Sequence, residues 1–84
     1  MDGNIHTLRC ALKHGISQED IDCAWHNAIA VRRRNFDIPY IYAAAGPDKE
    51  GNLIELLLAE QEDGSFLAYH AMKLTRKMAD ELNL

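Results

Sequence analysis

FLAYHAMKLTRKM, residues 66–78, combines strand alternation, a titratable His70 and a closing basic cluster of Lys73, Arg76 and Lys77. Successive side chains of an extended segment point to opposite faces. Phe66, Ala68, His70, Met72 and Leu74 then form one row and Leu67, Tyr69, Ala71 and Lys73 the other. The first row is the greasier, which makes it the expected core face and leaves Tyr69 and Lys73 on the open side. Thr75 offers a side-chain oxygen to cap a short helix from Arg76 to about Leu82.

Working back from that stretch, Asp63-Gly64 is a hairpin turn signal and Leu53 to Glu60 a nearly continuous apolar strand, fit for the centre of a sheet. Glu55 is its one interior polar residue, sharing a face with Leu53, Leu57 and Ala59. Gly46 to Asn52 is dense in turn formers and connects back to a strand over Tyr40 to Ala45. The three alanines 43–45 leave little bulk, which suits close approach by a helix. Upstream, Ser17 reads as an N-cap, with Asp20 three residues on and Ile16 and Ile21 as a hydrophobic staple. The inner face Ile21, Ala24, Trp25, Ala28, Ile29 carries that helix to about Arg33. Ile5, Leu8 and Leu12 recur at helical spacing over Asn4 to His14, with Gly15 at a left-handed cap. The expected architecture is one α+β domain over residues 1–84: two N-terminal helices, a three-stranded antiparallel β-meander and a short C-terminal helix, the helices on one face of the sheet.

At 84 residues the chain can bury only a modest fraction of its surface, so a partner chain or homo-oligomer is a reasonable expectation. The run Leu53 to Ala59 falls short of the roughly 20 apolar residues that span a bilayer. The N-terminus lacks a basic start followed by an apolar stretch. A cytoplasmic protein without membrane attachment is expected, with Cys10 and Cys23 as thiols. The net charge is −4, but residues 48–63 alone carry six acids against Lys49, which leaves the remaining chain at +1. Six of the nine basic residues sit in two clusters, Arg32-Arg33-Arg34 and Lys73, Arg76, Lys77. That polarity keeps RNA open as a partner, since Lys and Arg neutralise phosphate.

Cys10-x-x-x-His14 and Cys23-x-x-His26 have spacings at which two ligands share a helical face, so a Cys2His2 zinc site between helices comes into question. At about 100° per residue these four point away from the apolar stripes of their helices and outward, so no metal site is expected. Arg32-Arg33-Arg34 reads either as a phosphate- or partner-binding edge or as ordinary cations at a helix C-terminus. His70 reads as a hydrogen-bonded core histidine from alternation alone, and as an active-site group only where a bulge or strand end turns it to the open face. Tyr69 and Lys73 are an exposed pair that a solvated face would also explain. No Gly-rich phosphate loop, Ser/His/Asp arrangement or HExxH is present, so nucleotide-cofactor and protease chemistry find no support.

Two stretches resemble a known family. Lys13-His14-Gly15-Ile16-Ser17-x-Glu19-Asp20 is similar to the KHGVSxEE start of a helix in BrnT-like toxins, and Ala71-x-Lys73-x-Thr75-Arg76-Lys77 to their ARK-TRRE ending. These belong to the RelE/ParE superfamily. Gly46-Pro47-Asp48, Gly51 to Glu55 and His70-Ala71-Met72 look like a group of short actinobacterial toxin-like proteins. Met72 stands where the pattern has a second basic residue, and Met78 where an acid is usual.

The resemblance implies a RelE-like cytoplasmic toxin of a type II toxin–antitoxin pair, a metal- and cofactor-independent endoribonuclease held by a small antitoxin. Cleavage by the ribose 2'-oxygen needs a base, an acid and cations for the phosphate. Carried over to this chain, His70 or Tyr69 would move protons, Lys73 would stabilise the developing charge, and Arg76 and Lys77 would hold phosphate. Arg32, Arg33 and Arg34 would add contacts to the RNA. The alternative is a non-catalytic, homodimerising interaction domain of the same fold.

Overall fold

The computed structural model describes residues 4–84, so residues 1–3 of the expected single domain lie outside the described residues. The central meander forms where alternation places it. Strands β3 (Ile41–Pro47), β4 (Leu53–Glu60) and β5 (Phe66–Lys73) pair antiparallel in succession, and the closing helix α2 spans Arg76–Glu81. Thr75 caps α2 by accepting from the Met78 amide, and Ser17 caps α1 (Gln18–His26) by accepting from that of Asp20.

The N-terminal half departs from expectation. In place of a first helix, Ile5–Thr7 is a strand, β1, parallel to the start of β5, followed by a 3-10 helix over Arg9–Leu12. The spacing of Ile5, Leu8 and Leu12 satisfies a helix on its own. The edge of β5, however, offers backbone partners (Phe66 N–H to the Asn4 carbonyl, Leu8 N–H to that of Ala68), and β-branched Ile5 and Thr7 suit a strand. The second helix also stops early. Asn27 turns its backbone and side-chain N–H groups onto the Cys23 carbonyl and closes α1. Ala30–Arg33 then forms β2, antiparallel to β3. Ile29 fits the end of the apolar stripe expected of the second helix, but Ala30–Arg33 meets the open edge of β3, where β-branched Val31 suits a strand.

The result is a mixed five-stranded sheet in the order β1-β5-β4-β3-β2, not a three-stranded meander with two N-terminal helices. The helices also take opposite faces. Ile21, Ala24 and Trp25 of α1 pack with Ala44, Ile54, Leu56, Leu58, Phe66, Ala68 and Ala71. Met78 and Leu82 pack with Ala43, Ala45, Leu57 and Leu74 on the other side. The small residues of β3 permit this double cover: a Cβ added at Gly46 would sit 2.1 Å from the Ala24 carbonyl oxygen, so α1 rests on bare backbone there.

Candidate functional site

The site is made by one extra residue. Leu58 pairs with Ala68 and Leu57 with His70, so Tyr69 has no opposite number and β5 carries a β-bulge. Beyond it the faces exchange. Phe66 and Ala68 stay with α1, the next buried residue on that side is Ala71, and His70, Met72 and Leu74 move to the side covered by α2. The single row expected through 66, 68, 70, 72 and 74 is therefore split, and His70 leaves the main core.

On the α2 side His70 meets Glu55, the lone polar residue inside β4. Glu55 is 5% exposed and fully engaged. Its Oε1 accepts from the Thr75 amide at 2.8 Å and from the Thr75 hydroxyl at 2.6 Å, and its Oε2 lies 2.9 Å from His70 Nε2. Burial pushes the Glu55 carboxyl up, but the Thr75 hydroxyl, the Thr75 amide and His70 outweigh it and hold the group below the usual carboxylate range. A carboxylate only accepts, so Nε2 of His70 carries the proton and Nδ1 is the free nitrogen. The Thr75 hydroxyl also has its direction set: it donates to Glu55 and accepts from Met78 N–H at 3.2 Å. One side chain thus joins the carboxylate to the start of α2. The ring of exposed His14 stands edge-on to His70 at a centroid distance of 5.7 Å.

Next to Glu55 a depression of about 180 Å³ is lined by Arg34, Glu55, Leu57, Thr75, Lys77, Met78 and Glu81. Arg34 reaches over the sheet and grips Glu81 with two parallel bonds, Nε at 2.8 Å and Nη2 at 2.6 Å. Through this pairing Arg34 lowers the Glu81 carboxyl pKa and Glu81 raises that of Arg34. Arg32 Nη1 donates to the Glu81 carbonyl at 3.1 Å.

Of the residues expected in a site, Arg34 and Lys77 line the depression, His70 stands against the Glu55 carboxylate that also lines it, and Tyr69 is the bulged residue, its carbonyl accepting from Cys10 of the 3-10 helix. Lys73 pairs with Ile54, on the α1 side, and Arg76 is exposed at the start of α2. Alternation parts the arginine triplet: Arg33 turns away from its neighbours and lies 4.9 Å over the Phe36 ring and 5.0 Å over that of Tyr40. The Cys and His pairs do not assemble. Cys10 donates to the Tyr69 carbonyl, and no three of the described His, Cys, Asp and Glu residues converge as metal ligands. Sequence reasoning did not bring Glu55, Thr75 and His14 to His70. The available signal was the single acid in an otherwise apolar strand, since a buried carboxylate requires partners.

Fold and site define a small α+β protein in which a carboxylate-held histidine sits at a strand bulge near a depression lined by two cations, Arg34 and Lys77, and two carboxylates, Glu55 and Glu81. No family model, curated protein or solved structure matches the chain. Among the described residues no helix is long and apolar enough to cross a membrane.

Proposed function

We propose that this chain is an RNA-cleaving toxin of a toxin–antitoxin pair, of the BrnT-like kind that residues 13–20 and 71–77 resemble, and that His70 is its central catalytic group. The observation that supports it is the imidazole oriented by buried Glu55, with a second imidazole, His14, against it. Nδ1 of His70 takes the proton of a ribose 2'-hydroxyl. The 2'-oxygen then bonds to the adjacent phosphorus, the bond to the 5'-oxygen breaks, and His14 supplies the proton that oxygen needs. Glu55 stabilises the imidazolium that forms on His70. Lys77 meets the phosphate, and Arg34 keeps Nη1 for it while Glu81 holds Nε and Nη2. Tyr69 forms the bulge beside His70, and an antitoxin would neutralise the protein by covering this face.

The test is induced expression of the chain alone in bacteria, wild type beside His70→Ala, following growth and RNA integrity, with purified protein assayed on RNA in the presence of a chelator. Growth arrest and chelator-resistant cleavage that His70→Ala abolishes are expected. An equally toxic His70→Ala, or intact RNA under wild-type expression, sinks the proposal. The second reading, a non-catalytic interaction domain, is favoured by the apolar side chains exposed between residues 29 and 38.

A further inference from the structure

At the far edge of the sheet, separated from β5 by β4 and β3, β2 has a strand on one side only among the described residues. Open edges are templates for strand addition, and proteins ordinarily blunt them with a covering element, a bulge or charges placed in the apolar row. On the α1 side of β2 the row runs Ile29, Val31 and Arg33, apolar until the strand's end, where the Arg33 side chain folds over the Phe36 and Tyr40 rings. Ile29 is 55% exposed and Val31 44%, and the loop that follows presents Phe36 at 80% and Ile38 at 69%. That loop is held in shape. Asn35 Nδ2 donates to the carbonyls of Asp37 and Pro39 at 3.2 and 3.1 Å, and its Oδ1 accepts from Ile41 N–H at 2.8 Å. The surface is therefore formed in advance, which lowers the ordering cost of binding.

Charge identifies the occupant. β2 contains Arg32 and Arg33, with Arg34 directly after, and no acid. Among the described residues the ion pairs are Arg34–Glu81, Lys49–Glu19 and His70–Glu55, so the Arg33 guanidinium lies against rings rather than a carboxylate. A second copy pairing its β2 antiparallel to this one would set the two arginine groups alongside each other, and like charges across strands are destabilising. A strand of opposite charge has no such conflict.

We propose that β2 accepts, as a sixth strand, an extended segment of another protein in which apolar and acidic side chains alternate. Its backbone continues the sheet, its apolar row covers Ile29, Val31 and Phe36 beside the Arg33 side chain, and its carboxylates reach Arg32 on the α2 side. The paired edge is separated from β5 and His70 by β3 and β4, although Arg32 lies on the α2 side, and the proposal stands whether or not the chain cleaves RNA.

The experiment is an NMR titration of the isotope-labelled full chain with a capped peptide of about eight residues, valine alternating with glutamate, long enough to lie along β2. A valine–lysine peptide is the control. Shift changes and slowed amide exchange confined to residues 29–38 are expected, with the glutamate peptide bound at least about tenfold more tightly than the lysine one. Val31→Lys and Arg32→Glu should each weaken it by about fivefold or more, with the unperturbed amide spectrum of either variant confirming its fold. Equal binding of the two peptides, no binding, shifts centred elsewhere, or a peptide-free dimer with protected Val31 and Arg33 amides overturns the proposal.

Discussion

Glu55 and His70 lie on neighbouring strands and are joined at 2.9 Å, although strand alternation alone would turn them to opposite faces. The bulge at Tyr69 brings them together, and Thr75 ties the same carboxylate to α2. This cluster both anchors the C-terminal helix and sets which imidazole nitrogen is free. Removing the acid should therefore be costly to fold and site alike. Glu55→Ala would leave the Thr75 amide and hydroxyl and His70 without their acceptor in a buried place, and should destabilise the chain by about 3 kcal/mol. Urea unfolding followed by Trp25 fluorescence measures this, and a loss below about 0.5 kcal/mol would show that the cluster is not held as described.

The pH dependence follows from the direction of two shifts. The Glu55 and Glu81 carboxyls are both held below their ordinary range, about 4.3 for glutamate. Each then binds protons more readily unfolded than folded, so its contribution is complete above the unfolded value and is lost as pH falls through the folded one. The urea midpoint should hold near neutrality and fall progressively below about pH 4.3. Glu55→Gln should start lower and fall less steeply across that range. A parallel descent of wild type and variant would remove Glu55 as a source of the acid limb.

How far the sequence carried depends on whether an element could be recognised from its own residues. Leu53–Glu60, the caps at Ser17 and Thr75 and the hairpin at Asp63-Gly64 are set by local patterning and turn chemistry, and they appear where expected. Ile5–Thr7 and Ala30–Arg33 are strands because β5 and β3 offer them open edges, a tertiary fact their own spacing does not contain. The site was hidden for a related reason. A bulge shifts register without a compositional mark, so His70 read as core while its partner Glu55 stood visible but unpaired. Lys73 and Arg76 were grouped by nearness along the chain, whereas the strand end places Lys73 on the α1 side.

Gly46 shows how closely α1 approaches the sheet. A side chain at this position meets backbone, not a flexible neighbour: the Ala24 oxygen at 2.1 Å and its carbonyl carbon at 2.9 Å. Gly46→Ala must lift the helix or bend β3, and overpacking of this kind costs about 1–3 kcal/mol. Thermal unfolding should show a clearly lower midpoint, together with altered near-ultraviolet dichroism from Trp25, which lies one residue from the contact. An unchanged midpoint and spectrum would mean that α1 does not rest on Gly46.

The last prediction separates the cations of the α2 face from those merely near His70 in sequence. On the proposed chemistry, His70→Ala should lower RNA cleavage by about 10²–10⁴-fold, the usual range for a lost general base. Lys77→Ala and Arg34→Ala should each cost about tenfold through weakened phosphate contact. Lys73→Ala, altering a cation on the other side of the sheet, should change the rate by less than about twofold. The folding effect of Arg34→Ala should stay within about 1 kcal/mol, because the Arg34–Glu81 pair remains accessible to solvent. Cleavage by the purified variants under single-turnover conditions, with urea unfolding as the control for stability, gives the comparison. Should Lys73→Ala abolish cleavage while Lys77→Ala spares it, the reaction occurs on the α1 side and the Glu55–His70 pair is structural.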